Sequence, residues 1–303
     1  MSRAVRYDEV GGPEVLYIAE VSEPQPRDGQ VVVDVEAVGL NFWDAKARSG
    51  AVPLKSAFPR GLGGDFAGTV VRDGLGAQYF DGTYVQSGDE VLGWGVSTLR
   101  ERLAVSAANL ARKPEALPWA VAASLATPGL TAVACLRAVP IGAGDTVLVG
   151  AAAGGVGFLY GQLARRAGAR VIGTASPSNH DRLREAGIEP VAYGEGLVDA
   201  VRGLGDVTAA VDAQGRATID AALALGVPPD RICTIADYAA ASELGLVTPT
   251  SERSAEVLQE LANHVAAGHL TLSVQEEFEL DDLHDAFRLL EGRHLSGKVV
   301  MRF

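Results

Sequence analysis

The sequence has few cysteines, an excess of acidic over basic charge and no long apolar run, and each shortage excludes a class of protein. Only two cysteines occur in 303 residues, Cys135 and Cys233. They lie far apart in apolar surroundings, which favours inert, buried thiols in a reduced compartment over a disulfide framework. A formal net charge of −12 argues against electrostatic binding to nucleic acid or to an anionic membrane surface. With no apolar segment that could act as a signal or span a bilayer, we expect a cytoplasmic globular protein.

Histidine is scarce as well, and this bears on metal binding. A tetrahedral zinc site needs several cysteine, histidine or carboxylate ligands at short, regular spacings, which neither the two cysteines nor the five histidines provide. We predict no metal site and interpret all five histidines as surface residues: His180, His264, His269, His284 and His294.

The most informative stretch runs from Asp145 to Gly157, where a short β-branched run ends in a glycine-rich turn. A helix-favouring segment and a second buried strand at 168–174 follow, which together predict a βαβ unit. Such a turn lets the backbone approach a pyrophosphate, and the helix N-terminus stabilises the anion, provided that Ala151, Gly154 and Gly157 stay small. The pattern predicts a dinucleotide site, although an ordinary packed βαβ turn would have similar glycines.

The end of the second strand favours NADPH over NADH. An NAD site usually places a carboxylate there to bind the ribose 2′-hydroxyl, but residues 174–176 are Thr-Ala-Ser and the first carboxylate, Asp181, lies in the next helix. Four side chains could donate to a 2′-phosphate: Ser176, Ser178, Asn179 and Arg182. Ser178 or Asn179 would equally suit a helix cap.

The pattern of elements predicts an α/β protein with two domains. Short strands separated by Gly/Pro turns indicate a β-rich opening domain. Strands alternating with helices from 182 to 236 indicate a doubly wound parallel sheet. An amphipathic helix is predicted over Ser251 to Ala267, and the crossing between domains over Pro118 to Pro128.

Several segments, in their order, resemble the medium-chain dehydrogenase/reductase superfamily in its zinc-free quinone oxidoreductase branch. They include Val38–Gly50, Gly63–Val71, the turn at 151–157 and the closing Ser296–Val300, so that the resemblance runs nearly end to end. Zinc-containing members carry a cysteine at the place of Asn41 and a His-Glu pair at the next segment, and this sequence has neither. The segment at 95–102 is more charged than in the relatives.

The resemblance implies a GroES-like catalytic domain over 1–125, completed by 266–303, and a Rossmann dinucleotide-binding domain over 126–265. It implies NADPH-dependent, zinc-independent hydride transfer to a quinone or another α,β-unsaturated carbonyl, and a homodimer paired beyond Ala236. Two alternatives stay open: an enoyl-thioester or specific enone reductase of secondary metabolism, and a non-catalytic NADPH-binding scaffold or sensor.

The resemblance also suggests roles for individual residues. On the catalytic side, Asn41 would contact the substrate, and Lys46, oriented by Asp44, would donate to an enolate oxygen. Their spacing of two places Lys46 and Asp44 on different sides of a helix, so that a solvated lysine and a capping aspartate fit as well. The implied cofactor-binding residues are Thr131, Ile235 and Ala236 near the nicotinamide, Tyr193 and Lys298 near the phosphates or ribose, and Ala152, Gly154, Gly155, Val156, Thr174, Ser176 and Asn179 at the turn and strand end.

Overall fold

A computed structural model describes residues 1–250, 252–292 and 295–303. The first part of the chain forms β1 (Ser2–Arg6), β2 (Tyr17–Val21), β3 (Gln30–Gly39), α1 (Phe42–Ser49), β4 (Asp65–Asp73), β5 (Glu90–Trp94), β6 (Arg102–Ser106), β7 (Leu110–Arg112), α2 (Trp119–Ala123) and α3 (Ala126–Ala138). The middle forms β8 (Thr146–Val149), α4 (Gly155–Arg166), β9 (Arg170–Thr174), α5 (His180–Glu185), β10 (Glu189–Val191), α6 (Leu197–Arg202), β11 (Ala209–Asp212), α7 (Arg216–Ala224), β12 (Ile232–Thr234) and α8 (Tyr238–Leu244). The last part forms α9 (Ala255–Ala266), β13 (Val274–Glu279), α10 (Leu283–Glu291) and β14 (Lys298–Arg302).

The chain divides into two compact units. The first comprises Met1–Thr127 and Ser254–Phe303, and the second comprises Pro128–Arg253. Helix α9 groups with the first unit, whereas the sequence-based boundaries assign it to the nucleotide domain. Its grouping has a local cause, because Gln259 of α9 exchanges hydrogen bonds with the backbone of Arg112 at 2.8 and 3.0 Å.

The first unit is built on a mixed sheet in the order β13-β14-β3-β4-β5-β7, with β6 also paired to β3 and β1-β2 as a separate ribbon. The valine-rich β3 lies inside the sheet, between β14 and β4. Val33 of β3 and Phe66 of β4 are fully buried in the core of the unit. β14 runs antiparallel to the end of β3, with Val300 opposite Gly39. This pairing brings the start of β14 beside the turn from β3 into α1.

The second unit contains a parallel sheet in the order β10-β9-β8-β11-β12. Its strands are short and rich in β-branched residues because both faces are covered by helices, and Leu148, Ile172, Ile219 and Ile232 are fully buried. Counted along the chain, the strand order is 3-2-1-4-5, that of a dinucleotide-binding sheet. The predicted α/β class, a doubly wound parallel sheet with a β-rich domain, is confirmed.

The two cysteines correct one expectation from the sequence. Cys135 of α3 and Cys233 of β12 are buried free thiols, as predicted, but they are hydrogen-bonding neighbours rather than far apart. The hydrogen bond to Cys233, followed by burial, raises the pKa of the Cys135 thiol. The thiolate is therefore disfavoured, which agrees with an inert pair.

The helix predicted from Ser251 begins at Ala255, where the Ser254 hydroxyl caps it by accepting from Val257 N–H at 3.3 Å. Ser251 itself lies outside the described residues, as does His294. No helix in the described part of the chain is both long enough and apolar enough to cross a membrane.

Candidate functional site

The glycine-rich turn joins β8 to α4 in the second unit. Gly154 caps α4, and its N–H donates to Ala151 O at 2.9 Å, so that the helix begins with Gly155 and Val156. The N–H groups of a first helical turn have no acceptor within the helix. With the helix dipole, they make this end of α4 suited to an anion.

Close packing explains why the turn needs small residues. A Cβ at Gly157 would lie 2.4 Å from Ala151 O, which is a backbone atom that cannot swing away. Ala151 itself has a φ of 51°, a left-handed conformation that costs a non-glycine residue about 1 kcal/mol or more. Strain of this kind is usual where a backbone is shaped for a ligand.

Thr174 at the end of β9 holds this turn in place. Its hydroxyl accepts from Ala151 N–H at 3.1 Å and its carbonyl from Ala152 N–H at 2.9 Å. Thr174 is fully buried. Thr174 therefore supports the turn, and its predicted contact with a cofactor stays a prediction.

Beyond β9, small polar side chains form a cluster. Ser176 Oγ accepts from Asn179 Nδ2 at 3.0 Å and lies 3.1 Å from Ser178 Oγ. Arg182 points back at the turn, where its Nη2 donates to Ala153 O at 3.1 Å, and its guanidinium stacks on Phe158 at 4.1 Å. The cluster thus combines hydroxyl, amide and guanidinium groups beside the turn.

The remaining cofactor residues predicted in the second unit are partly accessible. Thr131 lies on α3, and Tyr193 follows β10 with 43% of its surface exposed. Ile235 N–H donates to Asp212 O at 3.0 Å, and Ala236 N–H donates to Thr234 Oγ1 at 3.2 Å. The backbone after β12 is therefore fixed from within the unit.

In the first unit, Asn41 lies at the centre of a buried polar network. Its Nδ2 donates to Asp65 Oδ2 at 3.0 Å, and its Oδ1 accepts from Lys298 Nζ at 2.6 Å. Lys298 Nζ also donates to Leu40 O at 2.5 Å. Both oxygens of Asp65 lie 3.0 Å from Thr127 N, which donates to them, and the Thr127 hydroxyl donates to Oδ1 at 2.5 Å.

The predicted pairing of Asp44 with Lys46 is not formed. Asp44 is buried, and its carboxylate accepts from Asn41 N–H at 2.8 Å and from Gly63 N–H at 3.2 Å. Lys46 is exposed on the other side of α1. The physical reason is the spacing, because residues two apart on a helix do not face each other. Asp44 thus takes part in capping α1, in line with the alternative interpretation: it lies in the first turn and accepts from the backbone N–H of the N-cap residue Asn41, as in a capping box.

Lys298, predicted to lie near the nucleotide phosphates or ribose, lies beside Asn41 in the first unit, and its contact with a nucleotide stays a prediction. It is 6% exposed, and two of its three ammonium hydrogens are directed to protein acceptors in the first unit. The sequence pattern did not indicate Asp65 as a partner of Asn41, or Thr127 as a partner of Asp65. The available signal was an aspartate placed directly before the apolar run of β4, where a charge has to find buried partners.

Burial determines the protonation of this network. It raises the pKa of Asp44 to about 6, helped by the nearby charge of Asp65 and opposed by the two N–H groups and by Lys298. Burial also lowers the pKa of Lys298, which the two carboxylates oppose. The charged form of Asp44 and that of Lys298 are thus disfavoured by burial and favoured by the opposite charge nearby.

The Asp44 carboxyl predicts a dependence of stability on pH. Between about pH 4 and pH 6 the folded protein keeps a proton that the unfolded chain has lost, so this group's contribution to stability falls as the pH rises. The full change amounts to about 3 kcal/mol. We expect D44N to lose this slope in urea unfolding measured from pH 4 to 7. D28N, at an exposed carboxylate, should keep the slope, and parallel curves for D44N and the parent protein would contradict the assignment.

Metal-ligating side chains do not converge: over residues 1–250, 252–292 and 295–303, no group of three or more His, Cys, Asp or Glu is placed to hold an ion. None of the four described histidines is fully buried, and His264 and His269 pack ring to ring at 5.6 Å.

Two family models match the chain. The alcohol dehydrogenase GroES-like domain matches residues 27–115, and the zinc-binding dehydrogenase model matches residues 190–301. Among curated proteins, the quinone oxidoreductase of Salmonella typhimurium is 29% identical over 99% of both chains. The pikromycin polyketide synthase component PikAII of Streptomyces venezuelae is 31% identical over 93% of this chain, which spans 8% of that protein.

Solved structures agree with these matches. The quinone oxidoreductase from Coxiella burnetii is 30% identical, with a TM-score of 0.90 over 100% of this chain and 99% of that chain. The mycobacterial protein Rv1454c, solved in complex with NADPH, is 29% identical, with a TM-score of 0.85 over the whole of both chains. These matches confirm an oxidoreductase with a GroES-like domain and a Rossmann domain. The chain therefore belongs to the quinone oxidoreductases of the medium-chain dehydrogenase/reductase superfamily.

Proposed function

We propose that this protein is an NADPH-dependent, zinc-independent reductase of quinones or other α,β-unsaturated carbonyl compounds. The observation that carries the proposal is the structure of the turn at 151–157. Gly157 lies so close to Ala151 that it has no room for a side chain, and no side chain among the described residues caps the first N–H groups of α4. The NADPH complex of the related mycobacterial protein supports the same cofactor.

The preference for NADPH follows from charge. Thr174, Ala175 and Ser176 stand where an NAD site usually has a carboxylate, and Asp181 is exposed and paired with Arg184 at 2.7 Å. A 2′-phosphate would thus meet Ser176, Asn179 and the positive charge of Arg182 rather than a repelling carboxylate.

Zinc independence follows from the chemistry of the Asn41 network. Asn41 supplies a neutral amide whose Nδ2 donates to the Asp65 carboxylate, and the Asp44 carboxylate is already bound to the backbone N–H groups of Asn41 and Gly63. The ammonium of Lys298 lies 2.6 Å from Asn41 Oδ1 and would repel a divalent cation. These groups do not fit a zinc site of Cys, His and carboxylate ligands.

When bound, NADPH supplies a hydride. The residues of the chain have to bind the cofactor and the acceptor, orient them toward each other and keep water out. This is most of what such a reaction requires of a protein. The turn at 151–157 binds the diphosphate, and Asn41 offers a polar contact to the reacting molecules. The enolate or hydroquinone product can take its proton from water, so the exposed Lys46 has no required part as an acid.

Reduction of an enoyl thioester is the second candidate, favoured by the similarity to PikAII across 93% of this chain. It uses the same hydride chemistry on a longer substrate. A non-catalytic scaffold and a homodimer paired beyond Ala236 stay predictions from the resemblance. Light scattering of the purified protein tests the dimer.

The test of the proposed function is loss of reduced-nicotinamide absorbance over a mixed panel of quinones, enones and enoyl thioesters. We expect turnover with NADPH, a weaker response with NADH, and no change after dialysis against a zinc chelator. Activity on an enoyl thioester alone would select the second candidate. Stoichiometric NADPH binding with no turnover on any member of the panel would contradict a reductase.

A further inference from the structure

The carboxamide of Asn41 is held at both ends by charged groups that are themselves buried. Asp65 is fully buried and accepts from Nδ2, while Lys298 is 6% exposed and donates to Oδ1. All three side chains belong to the first unit. Burying a carboxylate and an ammonium is costly unless each gains strong partners, so their presence here calls for an explanation beyond packing.

The charges allow one orientation of the amide. With the amide turned over, its NH₂ group would face the Lys298 ammonium and its oxygen would face the Asp65 carboxylate. Both contacts would then be repulsive, in surroundings where solvent screening is weak. Asn41 is itself the N-cap residue of α1, and its backbone is held there because Asp44, three residues on, accepts from the Asn41 N–H at 2.8 Å as in a capping box.

Counting hydrogen bonds shows what Asn41 has left to offer. Its two amide hydrogens are directed to Asp65 Oδ2 at 3.0 Å and, more weakly, to Gly39 O at 3.4 Å. Its oxygen has two lone pairs: Lys298 uses one at 2.6 Å, and the backbone N–H of Asp44 faces the side chain in the capping box without hydrogen-bonding to it. Asn41 thus remains able to accept a hydrogen bond and has little capacity to donate one.

Asp65 and Lys298, the two partners of Asn41, each have further hydrogen-bond partners of their own. Asp65 accepts from the Thr127 backbone at 3.0 Å and from its hydroxyl at 2.5 Å, which fixes the carboxylate without using Asn41. Lys298 is fixed by Leu40 O at 2.5 Å. The two charged groups are therefore rigid before Asn41 is added, as positioning groups have to be.

We infer that Lys298 and Asp65 are positioning residues that lock the Asn41 amide so that it accepts a hydrogen bond from an N–H or O–H group of a bound reactant. The inference rests on the proposed function, in which Asn41 contacts the reacting molecules. Asn41 accordingly does not donate to an enolate oxygen. Lys298 acts through Asn41 and has no contact of its own with the reactants.

A double-mutant cycle between Lys298→Met and Asn41→Ala tests the inference. Each variant is measured for the NADPH dissociation constant by fluorescence quenching and for kcat/KM and kcat with the best acceptor of the panel. In the parent background, K298M should lower kcat/KM roughly tenfold or more, as expected for a reacting group out of place. In the N41A background, K298M should change the same quantities less than about twofold, because the group it positions is gone.

The matched control is Lys113→Met. Lys113 is a lysine of the same unit whose side chain is 6% exposed and which pairs with Glu90 at 2.8 Å, away from the Asn41 network. Its effect should be the same factor in both backgrounds. The far-ultraviolet circular dichroism spectrum and the thermal midpoint identify variants that fold; if K298M does not fold, Lys298→Arg and Asp65→Asn take its place in the same cycle.

Three outcomes decide between the possibilities. A K298M effect that vanishes with N41A supports positioning, whereas an equal effect in both backgrounds overturns it. If the parent protein turns over but N41A changes neither catalysis nor NADPH binding, the inference fails and the proposed function stands. If the parent protein binds NADPH but reduces nothing, the proposed function fails, and the cycle on dissociation constants alone still decides whether Lys298 acts through Asn41.

Discussion

Replacing Gly157 by alanine is expected to weaken NADPH binding roughly ten- to a hundredfold. The added methyl would lie 2.4 Å from Ala151 O and 3.0 Å from both Ala151 C and Ala152 Cα, all of them main-chain atoms. Either the turn or the first turn of α4 has to shift. A shift of that size misplaces the N–H groups on which the diphosphate would rest, which explains why binding suffers more than folding.

The control for this prediction is Gly142→Ala in the same unit. Its nearest non-neighbouring atom is Ala167 O at 3.8 Å, an ordinary contact distance, so the methyl fits. The two variants are compared by fluorescence titration with NADPH and by circular dichroism. If G157A folds and binds NADPH as tightly as G142A does, the diphosphate does not rest on this turn.

Replacing Glu291 by alanine is expected to lower the free energy of unfolding by about 3 kcal/mol. Glu291 of α10 pairs with Arg48 of α1 at 2.6 Å, and the Arg48 side chain is 2% exposed whereas that of Glu291 is 34% exposed. Removing Glu291 leaves a guanidinium in the core without its carboxylate. The loss is measured by urea unfolding.

Replacing the arginine of the pair, Arg48, should lower the free energy of unfolding much less. In the described part of the chain, Arg48 Nε and Nη1 are buried without hydrogen-bond partners, so the arginine is poorly satisfied to begin with. Methionine keeps the packing against Phe287 and frees Glu291 to reach water. We expect R48M to lie within about 1 kcal/mol of the parent protein, and R48M/E291A to recover most of the loss.

An exposed pair on the same helix provides the comparison. Arg288 and Asp285 lie 2.5 Å apart, but both side chains are 64% exposed. D285A should cost no more than about 0.5 kcal/mol. If E291A costs no more than D285A, the Arg48 pair does not contribute to joining α1 and α10.

The second unit was predictable from sequence because its signals are local. The β8 run, the small residues at 151, 154 and 157 and the next strand lie within thirty residues of one another, and each constrains the backbone where it stands. The absence of a carboxylate after β9 is equally local. The fold class and the position of the glycine-rich turn followed from these features.

The Asn41 network was not predictable in the same way. Asn41 meets Asp65 across 24 positions and Lys298 across 257 positions, and these contacts depend on the pairing of β14 with β3. Nothing near Lys298 in the sequence indicates that its ammonium is buried. The contact between Cys135 and Cys233 was not predictable for the same reason, since α3 and β12 come together only in the folded unit.

Transfer of deuterium is the most direct measurement of the central claim. The protein is given NADPH labelled with deuterium at the transferable position of the nicotinamide, together with an enone in ordinary water. A direct hydride reductase predicts one deuterium on the β-carbon of the product and ordinary hydrogen on the α-carbon. Product without deuterium at the β-carbon, or no product while NADPH stays bound, would contradict the account.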